Sequence, residues 1–200
     1  MERPGHIFRC DFSGLEGARR YCSDESAARI RSELRSMPLQ AVHDIGTGDF
    51  HYITLFWLER IARPFVLVLC DNHPDDQPGA FGDGLLSCGG WVRQARELPF
   101  FRGEIWLDGN GEVHEYGPLD AAEAYFSIDL DVLGEQWART NWNQGSVSLA
   151  GLTEFLKKTA AERSWAGADI CGGIPEDCTP LSCDLELNCN AREAAASVFL

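Results

Sequence analysis

The chain has 200 residues, 44% of them apolar, with a formal net charge of -14 and a pI near 4.7. That length buries a full core within one domain, residues 1–200, without disulfide support. The acidity argues against nucleic acid and anionic membrane surfaces, which are bound by clustered Lys and Arg, and leaves a small-molecule or cationic partner as the expectation, with a homo-oligomer open.

Strand-like runs alternate with helical patterns from the start. His6 to Phe12 predicts a strand, Glu25 to Arg35 a helix, Leu39 to Asp44 a strand and Tyr52 to Ile61 a helix. That rhythm implies an α/β fold of three layers, α/β/α, with a mostly parallel sheet covered on both faces. The apolar run Phe65 to Cys70 reads as a buried strand and opens into a long Gly-rich loop from Asn72 to Gly90. Loops of that length in compact domains are usually functional. A short helix near Trp91 to Glu97 and a strand at Glu104 to Leu107 follow. Asp108-Gly109-Asn110-Gly111 then turns into Glu112 to Tyr116, an edge hairpin. A strand-like run from Ala124 to Asp131 leads into the polar segment Gly134 to Gln144 and a helix at Ser148 to Ala161. The last buried strand, Ala166 to Cys171, ends in Gly172-Gly173. From 176 to 200 the chain is polar and cysteine-bearing, and partial order around a short Ala-rich helix is expected.

No apolar stretch reaches membrane-spanning length, and Met1 to His6 lacks a signal-peptide core, so a cytoplasmic location is expected. Eight cysteines are too dilute for a disulfide scaffold. Cys171, Cys178, Cys183 and Cys189 crowd the tail without the paired Cys-x-x-Cys spacing of a structural zinc site.

Three distant stretches carry metal-binding side chains: His51, then Asp71, His73 and Asp75, then Asp129 and Asp131. Side chains two apart share a face of a strand, which predicts that each Asp-rich stretch aims at one spot beyond a strand end. Asp after a strand is common turn chemistry. Two Asp-rich strand ends at one sheet edge are a different matter, because their mutual repulsion and desolvation call for a cation.

These residues resemble the ureohydrolase superfamily, the arginase and agmatinase fold that also includes the histone deacetylase branch. Gly48-Asp49-Phe50-His51-Tyr52-Ile53-Thr54 matches the stretch that gives that family its first histidine ligand. Asp71-Asn72-His73-Pro74-Asp75 matches its Asp-x-His-x-Asp motif, and Ser127-Ile128-Asp129-Leu130-Asp131 its Ser-x-Asp-x-Asp motif. The resemblance covers roughly Leu39 to Pro175. It implies two Mn ions bridged by Asp71 and Asp129, one also taking His51 and Asp75, the other His73 and Asp131. Fe or Zn are the alternatives to Mn. The chain is shorter than a typical arginase and is similar to a compact arginase-like group sharing Asp11-Phe12-Ser13-Gly14, Leu86-Ser87-Cys88-Gly89-Gly90-Trp91 and Arg139-Thr140-Asn141-Trp142.

Two departures bear on the substrate. Arginases carry a Glu after the last strand that grips the guanidinium group, and Gly172 stands in register with it. The family's proton-shuttle His falls at Ser87 or Cys88. The resemblance therefore implies a dinuclear metal-dependent hydrolase of a non-peptide carbon-nitrogen bond in an amidine, guanidine or amide, and not in arginine. A deacetylase-like amide hydrolase using one zinc on Asp71, His73 and Asp129 is the alternative, with a non-catalytic metal-binding homologue as a third reading. Candidate catalytic residues are Asp75 as proton acceptor, with Cys88 and Ser87 near the leaving group. Arg139, Asn141, Trp142 and Trp91 are candidates for the substrate pocket. His43 reads either as a supporting group or as a structural hydrogen-bonder, and Glu176 or Asp177 either as a replacement clamp or as a solvated pair.

Overall fold

The computed structural model describes residues 7–79 and 84–200. Nine strands occur among them: β1 (Ile7–Arg9), β2 (Tyr21–Cys22), β3 (Val42–Asp44), β4 (Phe65–Cys70), β5 (Leu86–Ser87), β6 (Phe101–Leu107), β7 (Val113–Tyr116), β8 (Glu123–Asp129) and β9 (Ser164–Cys171). Seven form the central sheet in the order β1-β3-β9-β8-β4-β6-β7, while β2 and β5 pair separately. Neighbours in the large sheet are parallel, save for the antiparallel β6–β7 hairpin at its edge. The Asp108 to Gly111 turn that closes this hairpin is the one its Gly and Asn residues predict.

Alternation along the strands assigns the two faces. Phe65, Leu67 and Leu69 of β4 join the core beneath α1 (Asp24–Leu34), α2 (Ile53–Leu58) and α3 (Trp91–Ala95). Val68 and Cys70 join the opposite core, under α4 (Leu149–Glu162) and α5 (Ser182–Ala196). All six residues of β4 are buried, and each large aliphatic one contributes about 1.5–3 kcal/mol of burial free energy. The result is the expected three-layer α/β/α arrangement. Ser23 and Ser148 start α1 and α4 by accepting hydrogen bonds from Ser26 N and Gly151 N, caps worth about 1 kcal/mol each.

Two elements differ from expectation. The tail forms a 15-residue helix, α5, rather than a short partly ordered one. Its buried face consists of Asn188, Ala191, Ala195 and Ala196, residues too small or polar to give a strong apolar period in the sequence. The segment 72–90 contains β5, whose two residues pair with β2 across more than sixty positions. His6 of the expected first strand, residues 1–5, and residues 80–83 of the expected Gly-rich loop lie outside the described residues. No described helix is long and apolar enough to cross a membrane. All eight cysteines are free thiols.

Candidate metal centre

The carboxyl edge of the parallel sheet collects the motif residues. Asp71 follows the last residue of β4, Asp129 ends β8, and His51 closes a 3-10 turn at Gly48–Phe50 between β3 and α2. The six side chains meet there, but not through strand alternation. β4 stops at Cys70, and Leu130–Val132 is a 3-10 turn. Asp71 Oδ1 accepts from His73 N at 2.7 Å and Asp129 Oδ1 from Asp131 N at 3.0 Å, so each Asp turns the chain just beyond it. Asp75 adopts a left-handed backbone, φ 47°, a conformation disfavoured for a non-glycine residue and kept only where the surroundings enforce it.

Asp71 faces both histidines. Its Oδ2 lies 3.1 Å from His51 Nδ1, which is also 2.9 Å from Asp75 Oδ2 and 3.7 Å from Asp129 Oδ2. Its Oδ1 lies 3.5 Å from His73 Nδ1, which is 2.9 Å from Asp131 Oδ2. Two triads thus share one carboxylate, His51/Asp71/Asp75 and Asp71/His73/Asp131, and a third group joins His51, Asp129 and Cys171.

A buried polar column sets the His51 ring. Asp169 accepts from Ser127 Oγ at 2.8 Å, Thr54 Oγ1 at 3.1 Å and Tyr125 OH at 2.9 Å. The one proton of Ser127 is thereby committed to Asp169, and Ser127 Oγ accepts from His51 Nε2 at 2.9 Å. With Nε2 protonated, neutral His51 points the Nδ1 lone pair at three carboxylates, an arrangement a cation satisfies. In the metal-free chain a second proton takes that place. Burial pulls the His51 pKa down, but the Cys171 sulfur and the hydrogen bonds to Asp71 and Asp75 leave it well above its usual value. Hydrogen bonds to Asp131 and Asp71 raise His73 to about 10. Burial raises Asp131 to about 7 and Asp129 to about 6. This oxygen-rich donor set with a minority of imidazole fits Mn or Fe.

A cavity of about 310 Å³ opens over these groups. Ser87, Cys88 and Trp142 line it together with all six motif side chains. Burial and the Asp75 and Asp49 carboxylates push the Cys88 thiol up to about 12, so it is a thiol at neutral pH. Three other sequence candidates sit elsewhere. Trp91 is 0% exposed and no pocket wall; instead its Nε1 donates to Asp75 Oδ2 at 2.7 Å. Arg139 is turned away: Asn188 of α5 bonds its backbone N and O, and its guanidinium approaches Glu135 and Asp184 at 3.8 Å. Asn141 donates to Asp49 at 3.3 Å rather than into the cavity. His43 is buried between Pro38 O and Ala168 O and stacked on Trp57 at 3.7 Å, a structural role. Asp177 pairs with Arg19 at 2.6 Å, and neither it nor Glu176 is among the cavity-lining residues. The sequence reading missed Arg20, Tyr21, Gln77 and Pro78 in the cavity wall, and Cys171 beside Asp129 at 3.1 Å.

No family model matches the chain. A protein of Thermotoga maritima described as uncharacterized is 32% identical over 202 residues, covering 84% of this chain and 80% of that one, and the two belong to one family. Among solved structures, a hypothetical agmatinase from Burkholderia thailandensis superposes with a TM-score of 0.62 at 17% identity, over 90% of this chain and 67% of that one. Formimidoylglutamase from Bacillus subtilis gives 0.66 at 15% identity, over 88% and 66%. Arginase from Medicago truncatula gives 0.58 at 16% identity, over 88% and 66%. The chain shares the fold of these ureohydrolases. It spans about two thirds of the length of these proteins.

Within this ureohydrolase fold two glycines make room at the centre. At Gly48 a Cβ would come 2.8 Å from Asp129 Oδ2 and 3.0 Å from Trp142, so glycine lets the indole close over the site. Gly172 has φ 95°, and a Cβ there would lie 2.5 Å from Asp129 Oδ1 and 2.7 Å from Leu130 N. The position that resembles the arginase clamp therefore has no space for a side chain. Arg192 of α5 donates to the Gly172 carbonyl and fixes that loop.

Proposed function

We propose that this chain is a metal-dependent hydrolase of a non-peptide carbon-nitrogen bond in a small amidine, guanidine or amide, working with two divalent ions of the Mn class. The observation that carries this reading is the division of Asp71, with Oδ2 toward His51 and Asp75 and Oδ1 toward His73 and Asp131. His51, Asp71, Asp75 and Asp129 would hold one ion, and Asp71, His73, Asp131 and Asp129 the other. When bound, such ions supply Lewis-acid polarisation of the scissile group and activation of water near neutral pH. The single-zinc alternative draws less support. It would leave His51, Asp75 and Asp131 without a role, although all three belong to the two triads that share Asp71.

The chain's own residues supply the rest. Ser127 and Asp169 fix the His51 tautomer. Asp75, steadied by Trp91, is the carboxylate placed to accept the proton of the attacking water. Ser87 and the protonated Cys88 offer hydrogen bonds toward the leaving amine from the cavity wall. The fold supports the general class through its neighbours, and the missing clamp at Gly172 directs the choice away from arginine.

Release of ammonia or urea from a panel of amidines, guanidines and amides tests the reading, with protein reconstituted separately with Mn, Fe or Zn. Turnover of at least one class that vanishes in Asp71→Asn is the expected result. No turnover across the panel by any metal form would favour the non-catalytic homologue.

A further inference from the structure

We infer that Arg20, held in place by Asp49, anchors a carboxylate on the substrate, so that the natural substrate is a small amidino, guanidino or amide compound with an acidic tail. This rests on the hydrolase reading above for the reacting end of the molecule. Among the described residues that line the cavity, Arg20 is the one Lys or Arg, and the lining carboxylates are the four Asp of the metal centre. Among the described residues of the wall, a cationic tail therefore finds no unengaged acid. An anionic tail finds a guanidinium.

Arg20 is a built feature rather than a loose surface side chain. Its Nε donates to Asp49 Oδ1 at 3.1 Å, its backbone N to Asp49 O at 2.9 Å, and its carbonyl accepts from Cys88 N at 2.9 Å. Its backbone is left-handed, φ 65°. The guanidinium carbon stands 5.4 Å from the centre of the Trp142 ring. Asp49 is 0% exposed and also receives Arg19 Nε at 2.8 Å, while Arg19 sends its Nη1 outward to Asp177 at 2.6 Å.

Asp49 thus grips Arg20 by the Nε edge, and among the described residues neither Nη of Arg20 makes a hydrogen bond. Two parallel Nη donors are the fork that matches a carboxylate. Trp142 Nε1, in the same wall, is a buried donor with no acceptor among the described residues. Asp49 lies two residues before His51, which fixes the spacing between anchor and metal centre through one short turn. The cation–π contact with Trp142 and the Asp49 bond restrain the guanidinium, so less rotamer freedom is lost on binding.

The test is titration calorimetry on Mn-loaded protein with two probes, 4-guanidinobutyrate and butylguanidine, which share the guanidinium and differ in the carboxylate. Wild type is expected to bind the acid at least about tenfold more tightly. Arg20→Gln should erase that difference while leaving butylguanidine affinity and Mn content unchanged, and Arg20→Lys should keep part of it. Equal affinities in wild type, no binding of the acid, or equal weakening of both probes in Arg20→Gln would each overturn the assignment. Selective binding of the acid without turnover of any substrate would instead leave the anchor standing and count against the hydrolase reading.

Discussion

Trp91 Nε1 donates to Asp75 Oδ2, the same oxygen that faces His51 Nδ1 at 2.9 Å. The indole is wholly buried, so this bond steadies a carboxylate whose backbone is left-handed and disfavoured. Trp91→Phe keeps most of the ring and removes the donor, a loss of about 1.5–3 kcal/mol for a hydrogen bond to a charged group. Mn affinity at the His51 triad is expected to fall about tenfold to a hundredfold, as removal of such supporting bonds does elsewhere. A competition titration resolves the two sites, and the His73 triad should change less.

Gly172 is expected to tolerate no side chain. Gly172→Ala combines a strained φ with a clash against Asp129 Oδ1, which together cost about 1–3 kcal/mol or more. Urea denaturation should show the loss, and elemental analysis a lowered Mn content. Asp129→Asn, which keeps the shape, should lower Mn content without a comparable loss of stability.

Hydrolysis of arginine and agmatine is expected to be negligible at saturating Mn. A guanidinium clamp has no place at Gly172, and among the described residues no carboxylate beyond the four Asp of the centre lines the cavity. Removing the partner of a buried charge typically costs about 3–5 kcal/mol. Urea release from either substrate within about tenfold of an ordinary arginase would contradict this.

The pH dependence of stability should reverse on metal loading. In the metal-free chain Asp129 lies near 6, Asp131 near 7 and His73 near 10, all raised above their ordinary values. The native state then holds protons that the unfolded chain has released, and stability falls as pH rises. The Asp contribution is lost from about pH 4 to 7 and that of His73 from about 6.5 to 10. His43, held at about 4 by burial, opposes this only below about pH 6.5. With chelator present, Tm should drop from pH 6.5 to 8.5. With Mn it should rise, because metal displaces those same protons.

Much of the scaffold was legible because local signals and tertiary structure agree. The Phe65 to Cys70 run is a central strand as read, the Asp108 to Gly111 turn closes an edge hairpin, and Ser148 caps α4. Placing the Asp motifs at one sheet edge followed from their strand-end positions. Their convergence, however, comes from Asp side chains bonding the next turn rather than from the strand pleating that the alternate spacing suggests. What stayed hidden depends on distant partners. Nothing near Arg20 announces Asp49, 29 positions on, and Trp91 reads as a pocket aromatic until its indole is seen to meet Asp75. The tail helix was underestimated because its docking face is alanine and asparagine, and Asn188 on that face is what turns Arg139 away from the cavity.

The division of Asp71 between two histidines is tested most directly by counting ions. After reconstitution with Mn and removal of free metal, elemental analysis of wild type, Asp131→Asn and Asp71→Asn should give about two, one and fewer than one ion per chain, since Asp131 serves one triad and Asp71 both. One ion per chain in wild type, or a full pair retained by Asp71→Asn, would contradict the shared-carboxylate centre on which the proposed function stands.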